Sequence, residues 1–153
     1  MTADPDPDSF ESLDQLCAEF DVRIAIHNHG PKHRYNQISD VASAVKGRHP
    51  HIGACVDTGH FIRSKIDPVQ AVRELKGRVF AVHLKDDEKQ DGGSHNVILG
   101  RSHLDVPGLF RALRETNFPP DGSLSLEYEA NPMNPIDDMK ACLHVVREAL
   151  AQV

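Results

Sequence analysis

The chain switches between two periodicities. In FESLDQLCAEF, Phe10, Leu13, Leu16, Cys17 and Phe20 recur at helical spacing behind Ser9, which stands at the capping position. The same spacing predicts a helix over about Asn36–Lys46, with Ile38, Val41, Ala42 and Val45 on one face and Gly47 as its stop. Further helices are predicted from Asp67-Pro68 through Leu75, ended by Gly77, from Val106-Pro107 to about Thr116, and from Pro135 to about Ala151. Between them, short runs predict strands at Arg23–His29, Ile52–Asp57, Arg78–Lys85 and Ser123–Glu129. Residues 87–97, DEKQDGGSHNV, are expected to be a polar Gly-rich loop. The order is α-βα-βα-βα-βα, which implies an α/β fold with a parallel sheet and right-handed crossovers. Residues 1–8 hold Asp-Pro twice and no apolar anchor, so they are expected to be a disordered leader; residues 9–153 form a single domain.

Side chains alternate across a strand, so each run has two faces. Val22, Ile24 and Ile26 oppose Arg23, Ala25, His27 and His29. Ile52, Ala54 and Val56 oppose Gly53, Cys55 and Asp57. Phe80, Val82 and Leu84 oppose Val79, Ala81, His83 and Lys85. Leu124, Leu126 and Tyr128 oppose Ser125, Glu127 and Glu129. One face is bulky and apolar, fit to cover helices. The other is mostly small and finishes in His, Asp, His and Glu. A small face suits the crowded inside of a barrel, and its polar tips would meet at the carboxyl ends of the strands, where α/β folds place their chemistry.

Composition narrows the chemistry. The chain has 153 residues, 39% apolar and 26% charged, with a net charge of −6, which argues against nucleic-acid and anionic-membrane partners. No run is long enough to span a membrane, and the N-terminus lacks the features of a secretory signal, so a cytoplasmic location is expected. Three cysteines, Cys17, Cys55 and Cys142, lie far apart and are expected to be small buried hydrophobes. There is no Gly-rich dinucleotide or P-loop motif. Two carboxylates with two or three imidazoles form a mixed nitrogen and oxygen set, suited to Mn²⁺, Zn²⁺, Co²⁺ or Fe²⁺, with Mg²⁺ admissible, and too rich in nitrogen for Ca²⁺. Such an ion polarises a carbonyl while a neighbouring carboxylate or histidine moves a proton.

HNHG, CVDTGHF, VHLKD, LGRSHLDVPGLFRAL and LEYEANP, in this order and spacing, resemble the xylose isomerase-like TIM barrels, the sugar phosphate isomerases and epimerases. The resemblance runs from about residue 10 to nearly the end. It implies that Asp57, His83 and Glu127 bind a divalent metal and that His60 contacts substrate. It also implies a second acid/base glutamate on the strand at Arg23–His29. There the sequence departs, with Ala25 at the matching inward position and HNH after it. His27 or His29 then supplies the fourth ligand or the proton carrier; the assignment adopted places His29 with the metal and makes His27, His60 and Glu127 catalytic. Asn28, His60, Lys85, Arg101 and His103 are expected to contact substrate, and Glu129 is a weaker candidate further out. His33, His49, His51, His95 and His144 are expected at the surface. The three consecutive residues HNH are not the motif of the nucleases of that name, in which they are dispersed over a finger.

A complete barrel has eight βα units in about 250 residues. This chain supplies four, matching the C-terminal half of such a barrel, preceded by one helix. The expected function is metal-dependent isomerisation or epimerisation of a sugar or sugar phosphate by proton transfer next to a carbonyl. The alternatives are a dehydratase or lyase step on a keto-sugar or inosose at the same site, or a non-catalytic metal-binding partial barrel. A half-barrel leaves open edges, so a homodimer or a partner half-barrel is expected to close the sheet.

Overall fold

The bulky side of the central strands must be covered, and the helices cover it. The computed structural model describes residues 1–153. In chain order it contains β1 (Thr2–Ala3), a 3-10 turn (Pro7–Ser9), α1 (Phe10–Phe20), β2 (Ile24–His27), α2 (Ile38–Val45), β3 (Ile52–Asp57), α3 (Thr58–Arg63) and α4 (Pro68–Glu74). It continues with β4 (Val79–Leu84), β5 (Asp86–Asp87), β6 (Asn96–Val97), α5 (Val106–Glu115), β7 (Ser123–Leu126) and α6 (Ile136–Leu150). Five strands pair in parallel in the order β1-β2-β3-β4-β7, a half-barrel, while β5 and β6 form a small antiparallel hairpin. Ile24, Ile26, Ile52, Ala54, Val56, Val82 and Leu84 join helix residues such as Phe10, Val41, Val72 and Leu109 in one core. The small inward face forms a separate cluster of Ala25, Cys55 and Ala81. All three cysteines are buried and free. No helix is long and apolar enough to cross a membrane.

Residues 1–8 differ from the expected leader. Thr2 and Ala3 pair with Ala25 and Ile26, and Ala25 N–H donates to Met1 O at 2.8 Å. An unpaired β2 edge would leave ladder groups open, and the leader supplies them with partners. Pro5 O also accepts from Tyr35 Oη at 2.6 Å. Ser9 does not cap α1; its hydroxyl donates back to Asp6 O at 2.6 Å. The expected strands at Arg23–His29 and Ser123–Glu129 are shorter, ending at His27 and Leu126, and the polar loop contains the β5–β6 hairpin.

Strand parity holds except at Phe80. Ala54 pairs with Val79 and Cys55 with Ala81, so Phe80 is the extra residue of a bulge. Val79 therefore joins the outer core, and Phe80 packs inward against Ala25, Cys55 and Ala81. Gly53 admits it: a Cβ there would lie 2.5 Å from the Phe80 ring. The Arg23 guanidinium lies 5.3 Å from the centre of that ring and reaches Asp121 at 2.7 Å, before β7. Arg23, Ala25, Phe80, Ala81 and Asp121 help line a hollow of about 660 Å³ at the amino ends of the strands, opposite the polar tips.

Asp86 fixes the crossing from β4 to α5. Its buried carboxylate accepts the backbone N–H groups of Ser102, His103 and Leu104 at 3.0–3.2 Å and its neighbour Asp87 at 2.9 Å. Asp86→Ala leaves those donors unpaired, and urea unfolding is expected to show a loss of about 2–4 kcal/mol.

Candidate metal centre

Each inward strand ends at one place. The register sets Asp57 opposite His83 and His83 opposite Ser125, two residues before Glu127, while His27 stands beside Cys55. One donor atom each from His27, Asp57, His83 and Glu127 lies within 4.8 Å of the others. His83 Nδ1 is 2.8 Å from Glu127 Oε2, 3.2 Å from His27 Nε2 and 3.7 Å from Asp57 Oδ2.

Asp57 is the fixed point. Its backbone N–H donates to Asn28 Oδ1 at 2.7 Å, and its C=O accepts from Asn28 Nδ2 at 3.0 Å. Its Oδ1 caps α3, accepting His60 N–H at 2.8 Å. With one oxygen so held, Oδ2 points at the other donors, buried and without a hydrogen bond. A buried carboxylate oxygen left this way is costly unless something else meets it. That oxygen, one from Glu127 and two imidazole nitrogens make a donor set that fits a divalent cation of the Zn²⁺ or Mn²⁺ kind.

Neighbouring charges keep the group ionised. Burial opposes ionisation of Asp57, but His27, Lys85 and His60 outweigh it and hold the carboxyl at about 2. Burial also opposes the charge on Lys85, yet Asp57, Glu127 and Glu129 hold the ammonium above its ordinary value. Its Nζ donates to Glu127 Oε1 at 2.7 Å and Glu129 Oε2 at 3.1 Å, with Asp57 Oδ2 at 3.8 Å. Burial, then Asp57 and Glu127, push the Cys55 thiol up to about 12, which makes it a protonated floor residue. Burial lowers His60; Asp57 pulls against it, but Lys85, His27 and Arg63 add to it and leave the imidazole at about 4.

The structure thus gathers Asp57, His83 and Glu127 and adds His27, placed in the sequence reading as proton carrier. His29, placed there with the metal, falls in another group with His27 and His60. Asn28 is fully buried, its amide tied to the Asp57 backbone, so it holds a strand end instead of facing substrate. Lys85 is 2% exposed and engaged by carboxylates, which makes it an internal counter-ion. Arg101 and His103 are exposed on the segment tethered by Asp86 and stand outside the four-residue group. His33, His95 and His144 are exposed, and His49 and His51 partly so.

Two supporting residues escaped the sequence reading. Thr58 Oγ1 bridges the β4 backbone, accepting from Lys85 N–H at 2.8 Å and donating to Lys85 O. Arg63 Nε donates to the buried Asp87 at 2.9 Å and ties α3 to β5. The Asp-Thr pair, a cap followed by a hydroxyl, was the available signal for Thr58; no local pattern marks Arg63. Gly59 lets these layers touch, since a Cβ there would lie 2.5 Å from Lys85 Cγ and Asp87 Oδ2.

Residues 8–149 match the family described as xylose isomerase-like TIM barrel. An inosose dehydratase of Clostridium botulinum (strain Eklund 17B / Type B) is 28% identical over 144 residues, covering 82% of this chain and 47% of that protein. The E. coli 3-keto-D-glucoside 4-epimerase superposes with a TM-score of 0.75 at 21% identity, over 93% of this chain and 52% of the epimerase. The IOLI protein, solved with a zinc atom, gives 0.72 at 16% identity, over 95% of this chain and 55% of its own. These superpositions speak to the fold, and the chain spans about half the length of each relative.

The low value at His60 sets a pH window. Unfolded imidazole protonates near 6.5, and folded His60 only near 4. The stabilising contribution is complete above about 6.5 and lost as pH falls through about 4. Metal-free protein is expected to lose about 2 kcal/mol across that window once solvent screening is allowed for. Urea melts at stepped pH should find the slope reduced in His60→Gln.

Proposed function

The chain belongs to the xylose isomerase-like TIM barrel family, and from that premise we propose that it carries the metal-binding half of a sugar or sugar-phosphate isomerase or epimerase. The observation that carries this reading is the orphaned Asp57 Oδ2 among His27, His83 and Glu127. Those four residues would hold the ion, Zn²⁺, Mn²⁺, Co²⁺ or Fe²⁺, with Mg²⁺ admissible. A divalent ion held there supplies Lewis acidity toward a substrate carbonyl and its neighbouring oxygen.

The chain's own groups do the rest. Glu127 is the carboxylate of the four that reaches the open mouth, with its side chain 34% exposed, and it takes the proton next to the carbonyl. Lys85 Nζ donates to it at 2.7 Å and holds it in place. His60, neutral at pH 7, orients a substrate hydroxyl, and Arg101 and His103 meet the distal end of the sugar. In isomerisation the proton taken is returned to the adjacent carbon while a hydroxyl proton passes to the former carbonyl oxygen. Epimerisation needs a different proton, delivered to the same carbon from the other face by a second group, for which His29 is the candidate.

A second reading is dehydration of a keto-sugar or inosose. It is favoured by the likeness to an inosose dehydratase and by His27 in a group where a two-glutamate epimerase needs another carboxylate. Both reactions begin by removing the same proton, and product mass separates them. The net charge of −6 suits an enzyme with no nucleic-acid partner.

The open edges call for a further (βα)4 unit. Leu124 is exposed on the edge strand, and Ile136, Leu143 and Leu150 make an exposed stripe at seven-residue spacing along α6. Leu16, Phe20 and Val22 are exposed at the other edge. A second copy, or a partner half, would cover both.

Two experiments follow. With a panel of keto-sugars in D₂O, the closed barrel is expected to place deuterium on the carbon next to the carbonyl, and Asp57→Asn or Glu127→Gln to lower that rate by about 10²–10⁴-fold. Mass spectrometry that finds no deuterium and no loss of water with any sugar would overturn the reading. In sedimentation velocity the chain is expected to self-associate, and Leu143→Glu to shift it toward monomer.

A further inference from the structure

A second set of donors shares His27 with the first, and the proposed isomerisation leaves its His29 unused. His27, His29 and His60 each bring a ring nitrogen within 4.8 Å of the others. Their ring centres are 4.7 Å apart for His27 and His29, 5.4 Å for His29 and His60, and 5.6 Å for His27 and His60. His27 turns Nε2 toward Asp57 Oδ2 and His83 Nδ1, at 3.6 and 3.2 Å. Its other nitrogen, Nδ1, is buried without a hydrogen-bond partner, and so is His60 Nδ1. His60 Nδ1 lies against Gly30, where an added Cβ would stand 3.6 Å away. Buried polar atoms in native proteins are almost always paired, so two orphaned imidazole nitrogens in one mouth need an explanation. The acid paired with His29 is Asp4, 3.7 Å from its Nε2 and exposed to solvent.

We propose that His27 Nδ1, His29 and His60 form a second cation site beside the four-residue group, selective for ions that favour nitrogen, such as Zn²⁺, Co²⁺ or Ni²⁺, over Mg²⁺ and Ca²⁺. Three imidazoles with no thiolate leave an open position, as at zinc sites that keep a water or substrate atom. His27 turns opposite ring nitrogens to the two groups, so with both ions bound its ring gives up its N–H proton to solvent and bridges them as imidazolate. His29 and His60 stand outside the first group, so the second site survives loss of Asp57 or Glu127.

Tag-free protein, stripped with chelator, is dialysed to equilibrium against Zn²⁺ and its metal counted by atomic emission. Two ions per chain are expected for the wild type and one for either His29→Gln or His60→Gln. Asp57→Asn is also expected to bind one, and Asp57→Asn combined with His29→Gln none. Mg²⁺ is expected to give no second ion. A zinc count unchanged in both His29→Gln and His60→Gln overturns the proposal. So does a count lowered by the surface pair His49→Gln/His51→Gln and not by His29→Gln. If Asp57→Asn alone leaves the count unchanged while His29→Gln lowers it, the second site stands and the metal centre assigned to the proposed function falls.

Discussion

The charge on Lys85 has to be balanced where water scarcely reaches it, and the mouth of the half-barrel is arranged around that need. An uncompensated buried ammonium costs several kcal/mol, so the lysine draws in every acid within range. Asp57 comes from β3, and Glu127 and Glu129 from the segment after β7, while the lysine itself follows β4. One cation thus gathers the ends of three strands. The last of them gains most, because β7 stops at Leu126 and the chain beyond it is held by few backbone bonds, among them Glu127 N–H to Leu84 O at 3.1 Å and Glu129 N–H to Asn96 Oδ1 at 2.9 Å. The same ammonium, with His27 and His60, holds the Asp57 carboxyl at about 2, the ionised state a metal ligand requires.

Much of this was legible in the sequence, and the reason is geometric. A parallel strand sends alternate residues to opposite sides, so a run of small inward residues ending in a polar one predicts both a barrel interior and its site. Asp57, His83 and Glu127 came from that parity together with the family resemblance, and their convergence follows from the register. The choice between His27 and His29 was not legible, because both lie on the inward side. It turns on where β2 stops, at His27, just before the chain swings away through Gly30. Asn28 looked available for substrate because nothing in its own run reveals that the backbone of Asp57 takes both ends of its amide.

The other departures have the same origin. The six residues of α3 are too few to show a period, and the helix exists because Asp57 caps it. The pairing of Thr2–Ala3 is a property of the β2 edge, visible only once the sheet is assembled. The bulge at Phe80 belongs to the match between β3 and β4, and no reading of either strand alone contains it.

That bulge has a mechanical consequence. Phe80 is driven inward like a wedge under Gly53, and Arg23 lies across it to reach Asp121. The ion pair is open to solvent and adds little by itself, so it is the wedge that keeps the arc bent. The span between the first and last strands is therefore preset within this chain. If the ring is closed as proposed, the closing half would meet an aperture already set, and assembly would be the docking of finished arcs instead of their joint folding.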